Sequence, residues 1–112
     1  MRYLLWLLFA VAAGIVVYFT LQPGPSGTVF TWWDKLQHFG AYGTLSLLAG
    51  LTTRAWRRAL LYAALLALAG YGLEILQIYV GRSYDLADAL ANTLGALGGF
   101  LASRALLFLT RR

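Results

Sequence analysis

Long apolar stretches of this sequence are interrupted by a few residues able to handle protons, cations or anions. They are Asp34, Lys35, His38, Glu74, Arg82 and Asp88, with the polar Tyr42, Gln77 and Asn92 close by. Asp34, His38, Glu74 and Asp88 offer an acid, a base and ligands for a hard metal, and the Arg82 guanidinium is a fork for a phosphate or carboxylate. On helices their spacing groups them. Asp34, His38 and Tyr42 are four apart and share a face, and Glu74 and Gln77 are three apart and share another. Asp88, Asn92, Gly95 and Gly99 form one stripe. There is a single histidine, no cysteine and no recognised nucleophile motif. An oxygen-rich set of this kind suits a hard divalent cation, Mg²⁺ or Ca²⁺, better than zinc. No metal or other cofactor is assigned. A purely structural reading covers some of these residues: Asp34 as a helix cap, and Arg82 paired with Asp85 to fasten a hairpin. It does not cover Glu74, which lies inside an apolar run where an acid is costly.

The elements that must position these groups follow from composition. The chain has 112 residues, 61% hydrophobic and 12% charged, against about 25% charged in an ordinary soluble domain. A soluble monomer this small could not hide so much apolar side chain. Disorder needs the opposite balance, and a disulfide scaffold needs cysteine. An integral membrane protein remains. A transmembrane helix takes roughly 20 mostly apolar residues. Stretches of that length fall at about 3–21, 34–53, 59–80 and 86–110, the second being the weakest in hydropathy. The expectation is an all-α protein, a bundle of four transmembrane helices forming one domain over residues 1–112. The run Gln22-Pro23-Gly24-Pro25-Ser26-Gly27 reads as a turn, Trp32 and Trp33 as interfacial aromatics, Arg54 to Arg58 as a basic hairpin and residues 81–85 as a polar one. Arg2 and Ala10-Val11-Ala12 imitate a signal peptide, but the apolar run continues through Phe19, which favours an uncleaved span.

Orientation follows from the arginines. Arg2, Arg54, Arg57, Arg58, Arg104, Arg111 and Arg112 fall on one side of a four-span topology, so both termini are expected in the cytoplasm. The net charge of +5 is then a topology signal, and no nucleic-acid partner is implied, because the arginines sit on no soluble module. Arg104 lies within its apolar run, near the cytoplasmic end, where its stem can snorkel. With this orientation Asp34, Lys35, His38, Glu74, Gln77, Arg82, Asp88 and Asn92 all lie toward the outer leaflet, Glu74 being about 9 Å below Val80. The inner halves are almost purely apolar, which disfavours transport. The simplest arrangement is an outward-facing polar pocket, with Gly95, Gly99, Gly70 and Gly72 letting neighbouring helices approach beneath it. Four short helices bury little between themselves, which leaves a homo-oligomer open.

The strings Asp34-Lys35-Leu36-Gln37-His38-Phe39-Gly40-Ala41-Tyr42, Tyr71-Gly72-Leu73-Glu74-Ile75-Leu76-Gln77, Gly81-Arg82-Ser83-Tyr84-Asp85 and the block from Asp88 to Gly99 resemble, in order and spacing, the motifs of the VanZ-like family. The resemblance runs from about residue 33 to residue 99, with the first helix as a generic anchor. It implies a multi-pass protein of the bacterial cytoplasmic membrane. The family's namesake accompanies glycopeptide-resistance genes and lowers susceptibility to teicoplanin without altered peptidoglycan precursors. Three expectations follow. The protein binds or processes a cell-envelope amphiphile at the outer leaflet; or it is a small membrane enzyme acting on a lipid-linked headgroup; or it is a structural partner within a larger membrane complex.

Overall fold

A computed structural model describes residues 2–21, 32–80 and 86–110, without the side chains of Trp32, Trp33, Asp34 and Val80. Among the described residues there are four α-helices and no strand: α1 (Arg2–Thr20), α2 (Trp32–Leu51), α3 (Trp56–Gln77) and α4 (Leu86–Thr110), with a 3₁₀ turn at Ile78–Val80. Three of them, α1, α3 and α4, are long and apolar enough to cross a membrane. The fourth, α2, is long enough at 20 residues but spends part of its surface on Lys35, His38 and Ser46, which face protein.

The centre of the fold is the pair α2 and α4. Lys35 meets Asp88, His38 meets Asn92, Ser46 donates to the Ala96 carbonyl at 2.6 Å, and Arg104 reaches Gly50. Partner numbers rise together along both helices, so the two run parallel, with α3 returning between them in sequence. Glycines set their separation. A Cβ on Gly95 would strike the carbonyl of Phe39, and one on Gly99 would strike the Gly43 carbonyl and the Leu47 amide. Four-residue spacing of small side chains lets two helix backbones approach this closely where lipid supplies no hydrophobic drive. The buried side of α4 is the stripe Asp88, Ala89, Asn92, Gly95, Ala96, Gly99 and Ser103.

Against this pair α3 lays Ala59, Ala63, Gly70, Glu74 and Gln77. Gly70 is the close-approach point, since a Cβ there would meet the Tyr42 ring and the Asn92 amide. Gly72, expected to act likewise, has nothing within 4 Å of its Cβ position and faces away from the bundle. The other surfaces of α3 are leucine and isoleucine left uncovered by protein, among them Leu61, Leu65, Leu68 and Ile75, as suits a hydrocarbon surrounding.

The helix bounds differ from expectation at α2 and α3. The second helix begins at Trp32 rather than at 34, so Asp34 lies in its first turn and is not the cap. The third begins at Trp56 rather than 59, because the link is a tight turn: Thr52 and Thr53 donate back to Ala49 and Gly50, and Thr53 Oγ1 accepts from the Ala55 amide at 3.1 Å. The Arg104 guanidinium closes this turn, donating to the carbonyls of Gly50 and Thr53, the latter at 2.8 Å. The α2 C-terminus leaves such carbonyls without helical partners, and a cation there also suits the helix dipole. Arg104 thus has a protein partner as well as an interfacial position. Arg104→Ala should lower stability by about 2 kcal/mol, the scale of a charged hydrogen bond. Arg104→Lys should recover only part of this, because an ammonium cannot fork to two carbonyls in the same way. Thermal unfolding in detergent reads both, and an alanine variant as stable as the parent would remove the cap from the account.

The first helix is peripheral and contributes no buried residue. It packs mainly against α2 and touches α3 at both ends, with Trp6 edge-on to Tyr62 at 5.5 Å near one end and Gln77 Nε2 donating to the Thr20 carbonyl at 2.9 Å near the other. The helices therefore alternate in direction, and Arg2, Arg54, Arg57, Arg58 and Arg104 gather at one end of the molecule.

Candidate functional site

The end opposite the arginines collects the polar residues. The start of α2 supplies Lys35, His38 and Tyr42, the end of α3 supplies Glu74 and Gln77, and the start of α4 supplies Asp88 and Asn92. The helical repeat explains why each helix delivers its set on one face: positions three or four apart stack above one another. The parallel α2–α4 pair explains why the two starts meet. The side chain of Asp34 and the whole of Arg82, both singled out from the sequence, lie outside the described residues.

Lys35 and Asp88 form a salt bridge, Nζ to Oδ1, at 2.6 Å, with each side chain only 10% exposed. The second Asp88 oxygen, Oδ2, lies 3.5 Å from His38 Nε2. The other ring nitrogen of His38 lies 3.0 Å from Asn92 Oδ1. An amide oxygen only accepts, so His38 Nδ1 is the donor of this bond. Glu74 is fully buried, and His38, Glu74 and Asp88 each place a ligand-capable atom within 4.8 Å of the others. Tyr42 is buried, its ring against Gly70. Gln77 is buried too, but its amide is spent on the α1 carbonyl. Six groups thus form one cluster, while Gln77 ties α1 to it.

Beside the cluster lies a groove of about 620 Å³ between α1 and the start of α2. Its polar wall includes His38, Tyr42, Gln37 and Gln77, and its apolar wall is Ile15, Val16 and Phe19 of α1. Volumes of this order accept drug-sized ligands. The α1 residues have no distinguishing signal in the sequence. In an unbroken apolar run, nothing separates a side chain that lines a groove from one that faces lipid. Ser46, fully buried and bonded across to α4, was also missed. Its signal is its place one turn from Gly43 and Gly50 on a helix otherwise apolar at that level.

Chemically, the arrangement holds two carboxylates, an ammonium and an imidazole in a nearly water-free space, with the imidazole alone also lining the groove. Such a set can hold a polar headgroup, move a proton at His38 Nε2, or bind a cation.

Comparison with known proteins bears on the whole chain. A family model described as VanZ/LLP1 matches residues 3–109. No curated protein and no solved structure matches. The match takes in α1, which the motifs alone left as a generic anchor, and it spans every described helix. With three helices able to cross a bilayer, it identifies an all-helical membrane protein, and the chain belongs to the VanZ/LLP1 family.

Proposed function

We propose that this protein is a four-span bundle of the bacterial cytoplasmic membrane, with both termini in the cytoplasm, that binds or processes a cell-envelope amphiphile at the outer leaflet. The observation that carries the reading is the two-walled groove: His38, Tyr42 and Gln77 on one side, Ile15, Val16 and Phe19 on the other. An amphiphile lays its headgroup against the first wall and its chain against the second. The arginines at the far end support the orientation, since cytoplasmic ends carry the positive excess. α2 crosses with the rest because its polar side chains are turned onto α4. Family membership makes tolerance of teicoplanin-type glycopeptides the phenotype to examine.

The test is expression in a susceptible host of the parent, His38→Ala and Glu74→Gln. Glycopeptide susceptibility and binding of lipid-linked envelope precursors are measured on protein shown to be folded. Both variants should lose the tolerance and the binding. If both fold and match the parent, the groove is not the site. A green fluorescent fusion at the C-terminus should fluoresce and an alkaline phosphatase fusion should be inactive; the reverse result overturns the topology.

A second reading, a membrane enzyme acting on a lipid-linked headgroup, is favoured by the proximity of His38, Glu74 and Asp88. Turnover separates the two. An enzyme converts many equivalents of lipid, whereas a binder saturates at a fixed stoichiometry. A structural partner of a larger complex would instead co-purify with it and tolerate loss of Glu74.

A further inference from the structure

We propose that the arginine end of the molecule binds an anionic phospholipid, its acyl chain in a groove between α1 and α3 and its phosphate on Arg2 and Arg58. The groove holds about 280 Å³ and is separate from the one beside His38. That size is just below the roughly 300–1,000 Å³ of drug-sized ligand sites and suits part of one chain. Its walls are Trp6 and Phe9 of α1 and Tyr62, Leu65 and Ala69 of α3, with Ala49 of α2 between them. Leu65 and Ala69 are exposed, so the groove opens sideways to hydrocarbon.

Helical spacing carries both walls to an arginine. On α3, Arg58, Tyr62, Leu65 and Ala69 follow one another at four, three and four residues and form one stripe. On α1, Arg2, Trp6 and Phe9 do the same. Trp6 lies edge-on to Tyr62 at 5.5 Å, and Thr20 meets Gln77 near the other end, so α1 and α3 run in the same direction at nearly equal register. Arg2 and Arg58, each four residues earlier, therefore stand at one level, about 6 Å nearer the end of the bundle. Both are exposed. The excess of positive charge on one side of a membrane explains why arginines gather at this end. It does not explain why each wall of an apolar groove finishes on one.

The charge here is not met by protein acids. The sequence has no acid before Asp34 and none between Asp34 and Glu74. Glu74 lies 16 residues past Arg58, about 24 Å along α3. The neighbouring cations are differently engaged: Arg104 donates to the Gly50 and Thr53 carbonyls, and Arg57 lies 5.5 Å over the Trp56 ring. A guanidinium forks onto phosphate oxygens, and basic pockets between membrane helices take anionic headgroups in this way. A lipid whose headgroup adds no cation of its own complements the pair best.

The test titrates the full chain in dodecyl maltoside with dioleoyl phosphatidylglycerol and dioleoyl phosphatidylcholine, which share their chains and differ in the choline cation. Retained lipid is counted by native mass spectrometry. The parent should keep one phosphatidylglycerol per chain, bound about tenfold more tightly than phosphatidylcholine. Arg2→Gln combined with Arg58→Gln should abolish that preference. Arg54→Gln combined with Arg57→Gln removes the same charge from positions off the stripes and should retain it. Ala69→Trp, which fills the groove from an exposed position, should weaken both lipids together. Inorganic phosphate should not displace the lipid, since the chain supplies part of the affinity. A parent without preference, or a preference that survives loss of Arg2 and Arg58, overturns the proposal. Equal losses in the two arginine pairs overturn it too, because the attraction would then be diffuse surface charge. Thermal unfolding checks each variant, and should a pair fail to fold, Arg58→Gln against Arg57→Gln makes the same comparison. Micelles have no sides and no envelope precursor is present, so the result is independent of the topology and of the amphiphile reading.

Discussion

Asp88→Ala should destabilise the folded protein by about 3–5 kcal/mol, the cost of leaving one member of a buried ion pair without its partner. The Lys35 ammonium is 90% covered and bonded to Asp88 Oδ1 at 2.6 Å. Removing the carboxylate takes this bonded counter-charge from it among helices that offer little water. The same substitution frees His38 from the oxygen 3.5 Å from Nε2, so the starts of α2 and α4 lose two ties together. A second change separates the pair's own worth from the penalty of stranding a charge. Lys35→Met combined with Asp88→Val removes both charges with apolar side chains nearer to them in volume, and apolar replacement of a whole buried pair is often neutral or better. The double variant should therefore recover most of the loss in equilibrium unfolding in mixed micelles. If the cluster serves the proposed amphiphile site, the double variant's recovery in stability should come without recovery of amphiphile binding, because Asp88 would be gone. An Asp88→Ala protein as stable as the parent, or a double variant no better than the single, would show that the ion pair does not hold these helix starts together.

Gly99→Leu should be the most damaging substitution in the apolar half of the molecule. The position is chemically bland and holds no charge, yet a Cβ alone would already meet the Gly43 carbonyl, the Leu47 amide and the Ser46 side chain. Backbone atoms cannot rotate away as a flexible side chain can, so the two helices must separate. Overpacking of this kind costs about 3 kcal/mol or more. Separation would also lengthen the neighbouring Ser46 bond to the Ala96 carbonyl, now 2.6 Å. Gly98→Leu is the matched control. It lies on the next position of the same helix, and its Cβ would meet only the Phe39 ring, at 3.5 Å. The Gly98 variant should unfold within a few degrees of the parent, whereas the Gly99 variant should fail to give a cooperative transition. Equal behaviour of the two would mean that α4 does not pack through its Gly95–Gly99 stripe.

The contrast between those two glycines marks the boundary between what sequence and structure each decided. By itself the sequence determined everything governed by the helix repeat and by charge. The apolar runs separated by turn-forming or basic residues gave four helices, three of which stand as membrane spans on length and composition. Spacing of three and four placed His38 with Tyr42, Glu74 with Gln77, and Asp88 with Asn92 and Gly95. These are local properties, fixed by 3.6 residues per turn within one helix. The bunched arginines marked one end of the molecule for the same reason: they need no partner to be read.

Only the tertiary structure decided which helices touch and in what register. Lys35 and Asp88 are 53 positions apart, and nothing local to either predicts a 2.6 Å contact. The same holds for Arg104, which caps a helix ending some 50 residues earlier, and for α1, whose Ile15, Val16 and Phe19 complete a groove. In water an apolar stripe shows which face of a helix is buried. Here α3 is apolar nearly all round, and lipid tails are as apolar as leucine, so hydrophobicity does not distinguish a neighbour from the bilayer. Burial is decided instead by whether backbones fit together, which is why Gly70 lies against Tyr42 while Gly72, two residues on, faces open space.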